Sequence, residues 1–232
     1  MEPNTLRLAR NKRGWTEAKA AQRLGMSQSY LAMLEGGQRR LTPPLARKFK
    51  SVYGLSPTSL PTPGLFQPLA HVNTQEFAKS LSVLGYPGFA YLKARAPQRN
   101  PAEVLLEGLK QNNLEPRLVE GLPWLVMNYW DIDNAWLVRN AKLNDLQNRL
   151  GFVVTLAKQV SAMSGQVNEG RDRALQELEQ TLEGSRLARE DSFLKKVNTD
   201  VEREWLRQHR SEEAKHWNLL TDWRPEHFRY AS

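Results

Sequence analysis

No cysteine occurs among the 232 residues, which excludes disulfides and thiolate metal sites and is compatible with a reducing compartment. Long apolar runs are missing too. The best candidates, Leu122–Met127 and Leu150–Ala157, fall far short of the roughly 18 residues a membrane span needs. Met1 to Gly14 is basic and interrupted by polar side chains, so it offers no apolar signal-peptide core. The expectation is a soluble cytoplasmic protein with no membrane partner. No glycine-rich phosphate loop of the type Gly-x-x-x-x-Gly-Lys-Ser is present. Histidines are few: His71 and His227 stand apart from any Ser or Asp constellation. His209, Glu213 and His216 lie at helical spacing, and Glu-x-x-His is half of a carboxylate-bridged di-iron pattern, but the second half is absent. The chain is therefore read as a non-enzyme with no cofactor and no metal.

What is present is a lopsided charge. Residues 1–60 hold eleven Lys and Arg against Glu2, Glu17 and Glu35, which accounts for the whole net charge of +8; residues 61–232 hold twenty-two charges of each sign. A small basic domain on a neutral body suggests a polyanion-binding module carried by a domain that binds something else.

Glycines divide residues 1–60 into short helices: Gly14, Gly25, Gly36-Gly37 and Gly54. Pro57, Pro61, Pro63 and Pro68 then crowd a stretch that cannot be regular helix, and residues 61–72 read as a semi-rigid linker. Helical signals resume in 73–232. Asn73 with Glu76 opens a helix closed by Gly85; Asn100-Pro101 with Glu103 opens another, and Thr199 with Glu202 a third. Apolar residues at mixed three- and four-residue steps from Ile132 to Ala162 predict one long buried helix, and Leu175, Leu178 and Leu182 mark a further amphipathic one. No stretch alternates like a strand for long. The predicted class is all-α.

Thr16 and Ser27 are placed to cap two successive helices, each hydroxyl accepting from an orphan backbone N–H of the first turn. Helices joined by so few residues must cross closely, which calls for a small side chain at the crossing, Ala21, and a residue tolerant of positive φ at the turn, Gly25. With Leu24, Leu31 and Leu34 inward, Gln28, Ser29, Ala32 and Met33 share the outward face. Gln28, Ser29 and Met33 are the candidate base readers, Gln by a bidentate pair with adenine and Met by contact with a thymine methyl. Lys12, Lys19, Tyr30, Gln38, Arg39 and Arg40 are the candidate phosphate contacts, with Arg10 and Arg13 nearby in sequence.

Residues 4–60 resemble the lambda-repressor/Cro-like helix-turn-helix family, the xenobiotic-response-element type, through Ala21, Gly25, Ser27-Gln28, Leu31, Leu34-Glu35 and the Gly37-x-Arg39 ending. The resemblance implies a five-helix bundle whose third helix, about Gln28–Glu35, enters the major groove of double-stranded DNA, usually as a homodimer on a palindromic operator. It also implies an internal, structural ion pair between Arg10 and Glu35. Lys19 departs from the pattern, standing where many relatives carry the Glu or Gln of a capping box.

The remainder is less explicit. Six of seven tryptophans, Trp124, Trp130, Trp136, Trp205, Trp217 and Trp223, follow residue 120; they are read as core, with a protein-binding patch as the alternative. Asn144, Asp145, Gln147, Asn148 and Arg149 are read as an ordinary solvated face, with a hydrogen-bonded network or a partner surface as alternatives. Two functions compete. One is a transcriptional repressor whose larger domain dimerises or senses a signal. The other is an antitoxin that represses its own operator and neutralises a toxin enzyme with the larger domain, through the Trp124–Trp136 region and the carboxy-terminal tail.

Overall fold

The structure, a computed structural model, describes residues 3–228, and the chain divides into two units. The first comprises residues 1–63 with 98–100, the second 64–97 with 101–232.

In the first unit, α1 (Pro3–Lys12), α2 (Glu17–Leu24), α3 (Gln28–Glu35) and α4 (Pro43–Tyr53) are followed by a single 3-10 turn at Pro57–Ser59, which stands as the fifth helical element. Local chemistry sets these boundaries. Thr16 Oγ1 accepts from Lys19 N at 3.2 Å and Ser27 Oγ from Tyr30 N at 3.2 Å, so both predicted caps are made with the first-turn donors. Gly25 adopts φ 57°, ψ 46°, and Met26 N then donates to Ala21 O at 3.0 Å, turning the chain out of α2 and into α3 within three residues. Ala20, Ala21, Leu24, Leu31, Leu34, Phe49 and Tyr53 join Leu6 in one buried cluster.

The Pro-rich stretch is non-helical after the 3-10 turn, and several of its backbone groups have side-chain partners. The first unit extends to Pro63, and residues 64–72 belong to the second. There Phe66 N donates to Asn140 Oδ1 at 2.9 Å, Val72 N to Gln111 Oε1 at 3.0 Å, and Leu69 O accepts from Gln111 Nε2 at 3.0 Å. Proline removes donors and forbids helix, but the remaining amides still need partners, and side-chain amides supply them. Residues 98–100 return to the first unit. Asn100 Nδ2 donates to Thr58 O and Leu60 O at 3.0 and 2.7 Å, satisfying carbonyls at the end of the 3-10 turn, while Gln98 Oε1 accepts from Lys50 Nζ.

The second unit runs α5 (Thr74–Val83), a 3-10 stretch (Pro87–Leu92), α6 (Pro101–Lys110), α7 (Pro116–Val119), α8 (Gly121–Asn128), α9 (Asn134–Leu143), α10 (Gln147–Met163), α11 (Glu169–Glu183), α12 (Asp200–His209) and α13 (Glu212–His216). Two-residue strands β1 (Asp191–Ser192) and β2 (Leu219–Leu220) pair in parallel, the only sheet among the described residues. The central helix is α10, packed against α8, α9 and α11 and buried on nearly every side. Gly151 on α10 allows the closest approach, since a Cβ there would lie 2.3 Å from the ring of the fully buried Trp217.

The single helix predicted over Ile132–Ala162 is broken. Asn144 ends α9, Asp145 takes φ 58°, and α10 restarts at Gln147. Periodicity survives such a break because apolar positions on both sides still face one core, while Asp tolerates the left-handed region better than most residues. The solvated-face reading of 144–149 holds for the exposed Asp145 but is corrected at 147–149. Gln147, Asn148 and Arg149 are buried. Arg149 donates to Leu109 O and Gln111 O at 2.9 and 3.0 Å and forks onto Asp191 at 2.8 and 3.2 Å. Asn148 exchanges two hydrogen bonds with the backbone of Leu187. The polar side chains staple loops to the core. The tryptophans split: Trp124 and Trp217 are core, Trp136 and Trp223 pack partly buried against it, and Trp130 and Trp205 are exposed. Among the described residues no helix is long and apolar enough to cross a membrane.

Candidate nucleic-acid interface

Full burial of Leu31 and Leu34 fixes the rotation of α3. Gln28, Ser29 and Ala32 consequently lie exposed on its outer face, with Tyr30 and Met33 half-buried at the flanks. Tyr30 packs against the first unit's core, so its body is structural and its hydroxyl is left at the edge.

Gln28 has a neighbour on α2. Its Nε2 donates to Glu17 Oε2 at 3.3 Å, and because a carboxylate only accepts, this bond directs the amide nitrogen toward α2 and leaves Oε1 and the second N–H for a ligand. Glu17 Oε1 in turn lies 3.7 Å from Arg10 Nη2. Arg10 donates through Nε and Nη2 to the two carboxylate oxygens of Glu35, each at 2.8 Å. This fork is buried, and the hydrogen bond to Glu35 holds the Arg10 guanidinium above its ordinary pKa. A polar chain therefore leads from the core, Glu35 to Arg10 to Glu17, out to the exposed amide of Gln28. Sequence reasoning missed Glu17. It stands eleven residues from Gln28, a separation with no meaning on one helix, and only the crossing of α2 and α3 joins the two.

Past α3, Met33 O accepts from Gln38 N and Arg39 N at 2.9 and 3.2 Å. The helix ends there, and Gln38, Arg39 and Arg40 stand exposed. Lys12 at the end of α1 and Lys19 in α2 are exposed as well. None of Lys12, Lys19, Arg39 and Arg40 has a carboxylate partner among the described residues, so their charge is available to an external anion. The same is true of Arg47 and Lys48 on α4, which sequence reasoning counted but did not assign. Lys48 reaches the turn between α2 and α3, its Nζ 3.3 Å from where a Cβ on Gly25 would be.

Other cations of this unit have internal partners. Arg13 donates from Nε to Tyr53 O at 2.8 Å, and its guanidinium and that of Arg23 stand over the Trp15 ring at 5.3 and 4.4 Å. Trp15 meets Tyr53 edge-on at 5.7 Å, and burial, followed by the Glu35 charge, pushes the Tyr53 phenol up to about 12. Lys50 is drawn below its usual value by burial.

In the second unit the histidines are separately engaged. His209 stacks on Trp205 at 4.4 Å, Glu213 accepts from Gln159, and His216 pairs with Glu183. Among the described residues no group of three or more His, Cys, Asp or Glu side chains is placed to hold a metal.

Compared with protein families, residues 4–61 match the model of a helix-turn-helix domain. The amino-terminal unit is thus a helix-turn-helix domain, with α2 and α3 as the paired helices. No curated protein and no solved structure matches the chain.

Proposed function

We propose that this protein is a sequence-specific DNA-binding transcriptional regulator, a repressor that reads double-stranded operator DNA in the major groove with α3. The observation that carries the reading is the outer face of α3. A glutamine amide, hydrogen-bonded on one side to Glu17 and open on the other, stands beside Ser29 in the first turn, and the same unit carries the exposed, unpaired charges of Lys19, Arg39, Arg40, Arg47 and Lys48. Such a surface supplies donors and acceptors for base edges and cations for phosphates, the two contact classes that a recognition helix needs. The role is binding and not catalysis. A homodimer on a palindromic operator suits it, because one short helix covers too few base pairs to select a site alone.

The decisive experiment selects duplexes from a random pool with the full chain and measures affinity for the enriched motif and a scrambled control. A preference of about a thousandfold or more is expected. Equal affinity for both would remove the specific-regulator reading and leave a general nucleic-acid binder.

A second reading, an antitoxin whose larger domain neutralises a toxin enzyme, has one observation in its favour: Trp130 and Trp205 are 40% and 49% exposed, and exposed tryptophans are enriched at protein interfaces. Trp124 cannot belong to that surface, being core. Purification of the tagged protein from its native cell separates the two readings, since a stoichiometric enzyme partner selects the antitoxin and its absence from DNA-bound material selects the repressor.

A further inference from the structure

Along α9 and α11 the second unit carries an open groove of about 640 Å³. Ala135, Val138 and Leu143 give it an apolar wall, and Thr181 lines the side formed by α11. Leu143, on a helix whose other face is core, is 57% exposed and continues the apolar lining into solvent. Arg139 and Lys142 rise from the same wall, exposed, and neither has a carboxylate partner among the described residues. Cations of this unit are of both kinds: Lys93, Arg95, Arg117 and Lys196 are also exposed without a carboxylate partner among the described residues, while others are paired. Arg149 is matched by Asp191, Lys158 by Glu179, Arg173 by Glu177, Arg189 by Asp145 and Arg207 by Glu190. Two unmatched cations beside an apolar trough define what would complement them.

We infer that this groove docks an acidic amphipathic helix of a partner protein, with apolar side chains over Ala135, Val138 and Leu143 and carboxylates on Arg139 and Lys142. Positions 135, 138, 139 and 142 follow the three- and four-residue steps of one helix face, and a ten-residue helix offers about 15 Å of wall, two to three turns of a partner lying in the groove. A nucleic-acid backbone would neutralise the two cations but leave Leu143 in water, so a protein helix is the better complement.

The test uses the full chain and a fluorescein-labelled peptide of about 18 residues, roughly five turns, with Leu at heptad a and d and Glu at e and g; its counterpart carries Lys in place of Glu. The intact protein is expected to bind the Glu peptide at least about tenfold more tightly than the Lys peptide. Arg139→Glu with Lys142→Glu should invert that preference, which a misfolded variant could not do, and Leu143→Asp should weaken the Glu peptide. No binding of the Glu peptide, or equal affinity for both peptides in every variant, overturns the proposal. So does a double variant that leaves peptide binding intact while losing affinity for random duplex DNA, or while losing self-association in sedimentation, because either result assigns the cations to another occupant. The assay contains no operator, so its failure leaves the DNA-binding reading standing.

Discussion

Glu17 places a negative charge beside the one side chain best suited to read a base, and the geometry gives the reason: the carboxylate fixes which edge of the Gln28 amide faces outward. Gln28→Ala is expected to weaken binding to the selected operator by about 1–3 kcal/mol and to relax selectivity at one base position. Arg39→Ala should weaken matched and scrambled duplexes alike and lower the salt slope by roughly one unit, as befits a phosphate contact. Anisotropy titrations on both duplexes at several salt concentrations distinguish the two patterns; equal losses on both sequences for Gln28→Ala would strike it from the base readers. Deeper in the same polar chain, Arg10 and Glu35 form a buried fork. Arg10→Met leaves the buried Glu35 with only the distant Arg7 at 3.9 Å, and Glu35→Leu leaves Arg10 with Glu17 at 3.7 Å; each single should cost about 2–4 kcal/mol, the former more, whereas the double substitution should recover most of that loss. Urea melts of the two singles and the double measure the coupling, and additive losses would show that the pair is not the stabilising unit.

At the level of elements, the helix-turn-helix boundaries were legible because every determinant is local. Thr16, Ser27 and Gly25 each act within five residues of themselves, so the positions of α2 and α3 follow from the chain order. The second unit was less legible for the opposite reason. Hydrophobic periodicity reports which residues face a core but not whether the backbone is continuous, and Asp145 interrupts it without disturbing the pattern. Polarity likewise misled at 147–149, since a guanidinium is readable as buried only when its distant carbonyl partners, here Leu109 O and Gln111 O, are known. Gly151 gives a direct check on the packing of α10. Gly151→Ala would normally favour a helix, but the added methyl meets the Trp217 ring, so the outcome should be a loss of about 1–3 kcal/mol from overpacking. A gain in thermal stability would mean that Trp217 does not lie against α10.

For the whole molecule, charge sorts the work between the units. All of the net +8 resides in residues 1–60 and none in the rest, and DNA affinity at physiological salt is dominated by neutralised phosphates. A fragment of residues 64–232 is therefore expected to show no measurable duplex binding in the anisotropy assay, while the full chain binds with a steep salt dependence; affinity of that fragment comparable to the full chain would contradict this division. The sequence by itself determined the caps, the turn glycine, the basic first domain and the identity of α3's outer face, because these depend on neighbours in the chain and on composition. Only the tertiary structure decided that Glu17 meets Gln28, that Phe66, Leu69 and Val72 are hydrogen-bonded to the side-chain amides of Asn140 and Gln111, that Asn100 closes the 3-10 turn of the first unit, and that Arg139 and Lys142 stand unmatched beside Leu143. Each of those is a contact between residues far apart in sequence, or its absence, and a contact of that kind exists only once the core has fixed where the elements cross.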